Sequence, residues 1–165
     1  ETFIRQIRIN PFVYVLRGVW RNTLVLGHHM LVALAVVLAL AFPEPHLLLL
    51  AGLGGVLLLL QAVWIVPLLG LIGARFRDLQ PIIANLLQVM FFITPILWSP
   101  SLLGERRWVA DYNPLHSLIS VVREPLLGSV PEPGTYLVVV AMTATGFLLT
   151  MFLFGRLKAR LVYWL

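Results

Sequence analysis

Two neighbouring imidazoles, His28 and His29, are the first side chains in this sequence that could bind a metal or carry a proton. Adjacent residues on a helix point about 100° apart, so the pair does not make the i, i+4 arrangement of a helical zinc site. No carboxylate stands near them, and the expectation is that they bond to backbone or to a neighbouring helix. The densest charge cluster is Ala74-Arg75-Phe76-Arg77-Asp78. Arg75 suits the negative end of a helix that stops there, and Asp78 suits the positive end of one that starts there. The chain carries no GxSxG, HExxH or phosphate-binding glycine loop, and no close acidic pair. It has no cysteine, which removes thiolate metal sites, disulfides and a cysteine nucleophile.

The elements around these residues are apolar. Of 165 residues, 60% are hydrophobic and only 12% charged. A soluble domain carries about a quarter charged residues, so this chain cannot solvate a globular surface and needs lipid. The formal charge of +5 belongs beside membrane spans and gives no reason to expect nucleic acid. We expect an all-α integral membrane protein, a polytopic helical bundle with short re-entrant or interfacial helices on the external side, built as one domain over residues 1–165.

Four segments are long enough to cross, at about 24–42, 47–74, 79–98 and 135–155. The first helix can begin as early as Phe12, because Pro11 fits a first helical turn. The second exceeds the hydrocarbon core, so tilt or a kink near Pro67 is expected. Residues 99–134 differ: they hold most of the acidic residues, and Leu115, Leu118, Ile119, Val122 and Leu126 recur at helical spacing. Asn113 is the expected N-cap, Pro114 the first helical position and Gly128 the stop. That helix is too short to span and should lie in the interface or dip partway in.

Lys and Arg fix the orientation. One side holds Arg5, Arg8, Arg17, Arg21, Arg75, Arg77, Arg156, Lys158 and Arg160, and the other only Arg106, Arg107 and Arg123. The richer side is cytoplasmic by the positive-inside rule, which puts both ends of the chain there. Between Met30 and Ala74 the only Asp, Glu, Lys or Arg is Glu44, in the external turn, and the third and fourth spans have none. No proton or sodium relay is visible, so energy for any active transport must come from outside the chain.

Several stretches together resemble the permease subunit of ABC-2 type exporters, in the branch that exports O-antigen and other polysaccharides. They are Ile7 to Pro11 followed by VYVLRGVWRNTLVLGHH, then GARFRDLQPIIANLLQVMFFITPILWSP (Gly73 to Pro100), YNPLHSLISVVREPLLG (Tyr112 to Gly128) and GRLKARLVYWL (Gly155 to Leu165). The resemblance covers nearly the whole chain. One departure is His29, where the family often has Asn. It implies six spans, of which these would be the last four, with two more upstream of Glu1. It implies a cytoplasmic coupling region at about 1–12, where Arg5 and Arg8 would meet the ATPase subunit, and a gate in 99–134 around Asn113, Pro114 and Arg123. For Arg123 the readings are a pyrophosphate or acidic neighbour, or a surface charge paired with Glu124 or lipid. Phe91, Phe92 and Trp98 could line a sugar path, since aromatic faces stack on sugar C–H surfaces, or could pack against helices and lipid.

The implied protein is a multi-pass subunit of the bacterial cytoplasmic (inner) membrane. It has no catalytic residues and binds no cofactor of its own; ATP and Mg belong to a separate ATPase subunit. Its partners would be two copies of that ATPase, a second copy of itself, membrane lipid and a lipid-linked polysaccharide. The alternatives are an exporter of teichoic acid or of small hydrophobic drugs, and a non-transporting membrane scaffold subunit.

Overall fold

The structure is a computed structural model and describes residues 11–40, 43–76, 78–96, 98, 100, 104–105 and 108–157. The described residues contain helices and no strand. The helices are α1 (Pro11–Leu40), α2 (Pro45–Arg75), α3 (Leu79–Ile93), the single turn α4 (Trp108–Asp111), α5 (Pro114–Leu126) and α6 (Pro133–Leu157). Prolines open α1, α2, α5 and α6, where a missing N–H costs nothing and a fixed φ favours the first turn.

Three of these helices, α1, α2 and α6, are long and apolar enough to cross a membrane. The expected third span is helical over only 15 residues, about 22 Å at 1.5 Å per residue against a core of about 30 Å. The helix ends because Pro95 excludes the α conformation from the residue before it. Thr94 is accordingly extended, with φ −77° and ψ 133°. The apolar run continues past this break, so hydropathy alone places the end of the span at Trp98 when the helix has already stopped.

The packed body consists of α2, α5 and α6. Val121 and Val139 are fully buried, with Leu118 and Val122 beside them, and Leu57, Leu58, Tyr136 and Met142 close the cluster. Two glycines let the helices approach this closely. A Cβ on Gly54 of α2 would overlap the backbone carbonyl of Val121 in α5, and one on Gly146 of α6 would overlap the Trp64 indole of α2. Small residues at helix contacts are the membrane solution for close packing.

A polar network ties α2 to α6. Gln61 Nε2 donates to the Val139 carbonyl at 3.1 Å and to Thr143 Oγ1 at 2.8 Å. Gln61 Oε1 accepts from Trp64 Nε1 at 2.6 Å, and Thr150 Oγ1 donates to the Trp64 carbonyl at 3.0 Å. Partner numbers rise together along both helices, so α2 and α6 run parallel. The chain between them, residues 76–132, must therefore return from the side where α2 ends to the side where α6 begins. That return is made by α3 and the segment after it, which is how a 15-residue helix can belong to a crossing.

Against this body, α1 and α3 are peripheral. Val19 is the buried residue among the described side chains of α1, whose most apolar stretch buries none, and α3 has no buried residue. Their exposed Leu, Ile, Val and Phe side chains are apolar surface of the kind a bilayer accepts.

Candidate functional site

The site worth building is where α3 stops. Thr94 is 1% exposed and Pro95 is fully buried, though the helix that precedes them has no buried residue. Thr94 N–H still closes the last turn onto the Met90 carbonyl at 2.8 Å, and Ile96 N–H turns back to the Thr94 carbonyl at 2.7 Å. The helix ends in a tight bend, and a buried bend needs partners for its freed polar groups.

Those partners come from the two ends of α5. Asn113 Nδ2 donates to Thr94 Oγ1 at 2.9 Å, while its Oδ1 accepts from Leu115 N–H at 2.9 Å. Asn113 is therefore the N-cap the sequence predicts, with a second bond the sequence does not reveal. Pro114 stands at the first helical position. At the other end, Arg123 Nη1 donates to the Pro95 carbonyl at 2.9 Å. Arg123 is an exposed residue of α5, and the side-chain bond it makes in the structure is this one. Beyond it, α5 closes as predicted. Gly128 adopts φ 90°, Ser129 N–H bonds the Glu124 carbonyl at 2.9 Å and Gly128 N–H the Pro125 carbonyl at 3.2 Å. This is a Schellman closure, which needs a left-handed residue at the glycine.

The aromatic residues expected along a path gather at the same end of α3. Phe91 and Phe92 pack edge to face with centroids 5.6 Å apart, and both are exposed. Being adjacent, they point in different directions, so at most one faces any given path. Trp98 folds back on the helix, its Nε1 donating to the Phe92 carbonyl at 3.2 Å. Phe91, Phe92, Trp98, Thr94, Asn113 and Arg123 thus form one locality, although 32 positions separate the first from the last.

The remaining expectations fall elsewhere. His28 and His29 are exposed on α1, and His29 Nδ1 donates to the Val25 carbonyl at 2.7 Å, a backbone bond within the helix. At the turn after α2, the Arg75 guanidinium lies 5.7 Å from the Phe76 ring centroid. Asp78 occupies the N-cap of α3 but makes no side-chain capping bond. Arg77 lies outside the described residues, as do Arg5, Arg8, most of the 1–12 region and the tail from Lys158 on. The site residues that sequence reasoning missed are Thr94 and the Pro95 carbonyl; the Thr-Pro dipeptide inside an apolar run was the available signal.

Comparison with known proteins bears on what this arrangement belongs to. Two curated proteins of Klebsiella pneumoniae, both named O-antigen export system permease protein RfbA, match 89 residues at 35% and 32% identity. Over this stretch the chain is similar to O-antigen export permeases. The match takes in 52% of the chain and 33% of each relative, so the chain spans about a third of the length of the curated relatives it matches. No family model matches, and no solved structure matches. With three helices long and apolar enough to cross, the relationship makes the chain a multi-pass membrane protein.

Proposed function

We propose that the protein is the membrane subunit of an ATP-driven exporter that carries a lipid-linked, O-antigen-type polysaccharide outward across the bacterial cytoplasmic membrane. The observation that carries this reading is the similarity to two permeases whose names state O-antigen export. The composition fits it, since the spans offer no ionisable relay and these residues hold no nucleotide-binding loop; in this reading a separate ATPase supplies the energy. In this reading the permease works as a dimer with two ATPase subunits, which hold ATP and Mg. Both ends of the chain are cytoplasmic, and Arg5 and Arg8 meet the ATPase beside the coupling region. ATP binding shifts an equilibrium between closed and open pathways. The bend after α3 and its α5 partners form the outer gate, with Phe91, Phe92 and Trp98 beside the glycan's route.

The test is reconstitution. The full-length permease and its ATPase, in sealed vesicles loaded with lipid-linked glycan, should couple ATP hydrolysis to movement of glycan across the bilayer. Omitting the permease should abolish glycan movement and change the ATPase rate. If both were unaffected by the omission, the proposal would fall.

A further inference from the structure

The α3 helix is held almost entirely by its outer end. Its fifteen residues include none that is buried, and it makes few contacts with α2. The two residues that follow it are among the most buried in the protein. Both are gripped by one helix, Thr94 through Asn113 and the Pro95 carbonyl through Arg123. That helix is anchored in turn: Ser117, Leu118, Ser120, Val121, Val122 and Pro125 of α5 are buried. Among the described residues, the side-chain bonds that tie this helix to the packed body are the two at its end.

We propose that Asn113 and Arg123 are positioning residues that pin the Thr94–Pro95 bend to α5, making it the fixed pivot about which α3 tilts and setting where Phe91 and Phe92 stand. The helical hydrogen bonds stop at this point, so the chain changes direction there without breaking a ladder. The two bonds are separate in kind. Asn113 donates to a hydroxyl, and Arg123 makes a charge-assisted bond to a carbonyl that lies beyond the end of the α3 helix. Asn113 is also the α5 N-cap, so the element that starts the gate helix is the element that holds α3. The consequence for transport rests on the export reading above; the pin itself does not.

Spin labels test the two apart. The chain has no native cysteine, so in a cysteine-free full-length protein single cysteines take labels at chosen sites. Val89 on α3 and Val140 on α6 are exposed and report the outer end; Ile82 and Met151 report the other end, and Leu53 with Val140 reports the packed body. In the wild type the Val89–Val140 distance distribution should be narrow. In Asn113→Ala/Arg123→Gln it should broaden or shift, with Leu53–Val140 unchanged. Losing the charge-assisted bond alone corresponds to about a tenfold shift in the pinned equilibrium. Arg123→Lys, which keeps a charged donor, should restore most of the narrow distribution, which a general loss of packing would not allow. In the reconstituted complex the double variant should hydrolyse ATP with export reduced about tenfold, the same shift read as flux.

An unchanged Val89–Val140 distribution in a double variant whose Leu53–Val140 distance is intact overturns the pin. So does broadening of both pairs that Arg123→Lys fails to reverse. If the distances behave as stated but the wild type moves no glycan, the pin stands and the export reading fails.

Discussion

Gly54→Val is expected to be the most damaging single substitution in the packed body. The neighbour that a Cβ would meet is backbone, the carbonyl of Val121, with Val122 Cγ2 at 3.0 Å behind it. A rotamer change cannot clear a carbonyl. The α5 helix would have to move away from α2, and Val121, fully buried at the centre of the cluster, would move with it. Overpacking typically costs about 1–3 kcal/mol, and a backbone clash at the core falls at the upper end of that range or above it. The expected result is a drop in the thermal midpoint of the purified full-length protein and a lower membrane yield. Val122→Ala, which trims only the side chain at the contact, should not rescue it. A Gly54→Val protein with wild-type stability would show that α2 and α5 do not approach as described.

Gly146→Val should be nearly as harmful, by a different route. Here the neighbour is a side chain, the Trp64 indole, whose ring atoms an added Cβ would overlap. A ring can swing away, but this one donates to Gln61 Oε1. Displacing it leaves a buried amide with an unmet acceptor in a helix contact, while Gln61 Nε2 still faces Val139 and Thr143. The steric cost of about 1–3 kcal/mol therefore comes with a lost hydrogen bond, which in membrane bundles averages about 0.6 kcal/mol. Unlike Gly54→Val, this defect should be relieved in part by Trp64→Ala, which removes the colliding ring. Stability measured for Gly146→Val, Trp64→Ala and the double variant decides it. If the two costs simply add, the collision with Trp64 is not their cause.

The contrast between these glycines shows what local sequence pattern carries. Gly52, Gly54 and Gly55 look alike in the sequence, yet only Gly54 has a neighbour within contact distance of an added Cβ. Its partner lies 67 positions away, and nothing periodic announces it. Gln61 was visible as a polar residue in an apolar span, but its bonds reach residues 78 and 82 positions distant. What could be read were features with local causes: the Pro11 start of α1, the Asn113 cap, Pro114 and the Gly128 stop. The long helices followed from hydropathy. The end of α3 did not, because Pro95 to Trp98 is as apolar as the helix before it, and a proline's effect on the preceding residue outweighs hydropathy there.

The candidate site was half legible for a related reason. The sequence singled out both blocks that meet at the α3 bend, because neither is dictated by hydrophobicity. It could not show that they touch. For Arg123 the sequence offers a pyrophosphate, an acidic neighbour, Glu124 or lipid, whereas the partner in the structure is a backbone atom 28 positions back, which no pairing of side-chain types can suggest.

The proposed export of a lipid-linked polysaccharide is tested by locating that glycan in cells lacking the protein. Deletion should strip the polysaccharide from the cell surface and leave the lipid-linked form at the cytoplasmic face, inaccessible to lectin or antibody until the cells are opened. The full-length gene should restore the surface signal. A surface polysaccharide unchanged by the deletion, with no internal accumulation, would rule out export by this protein.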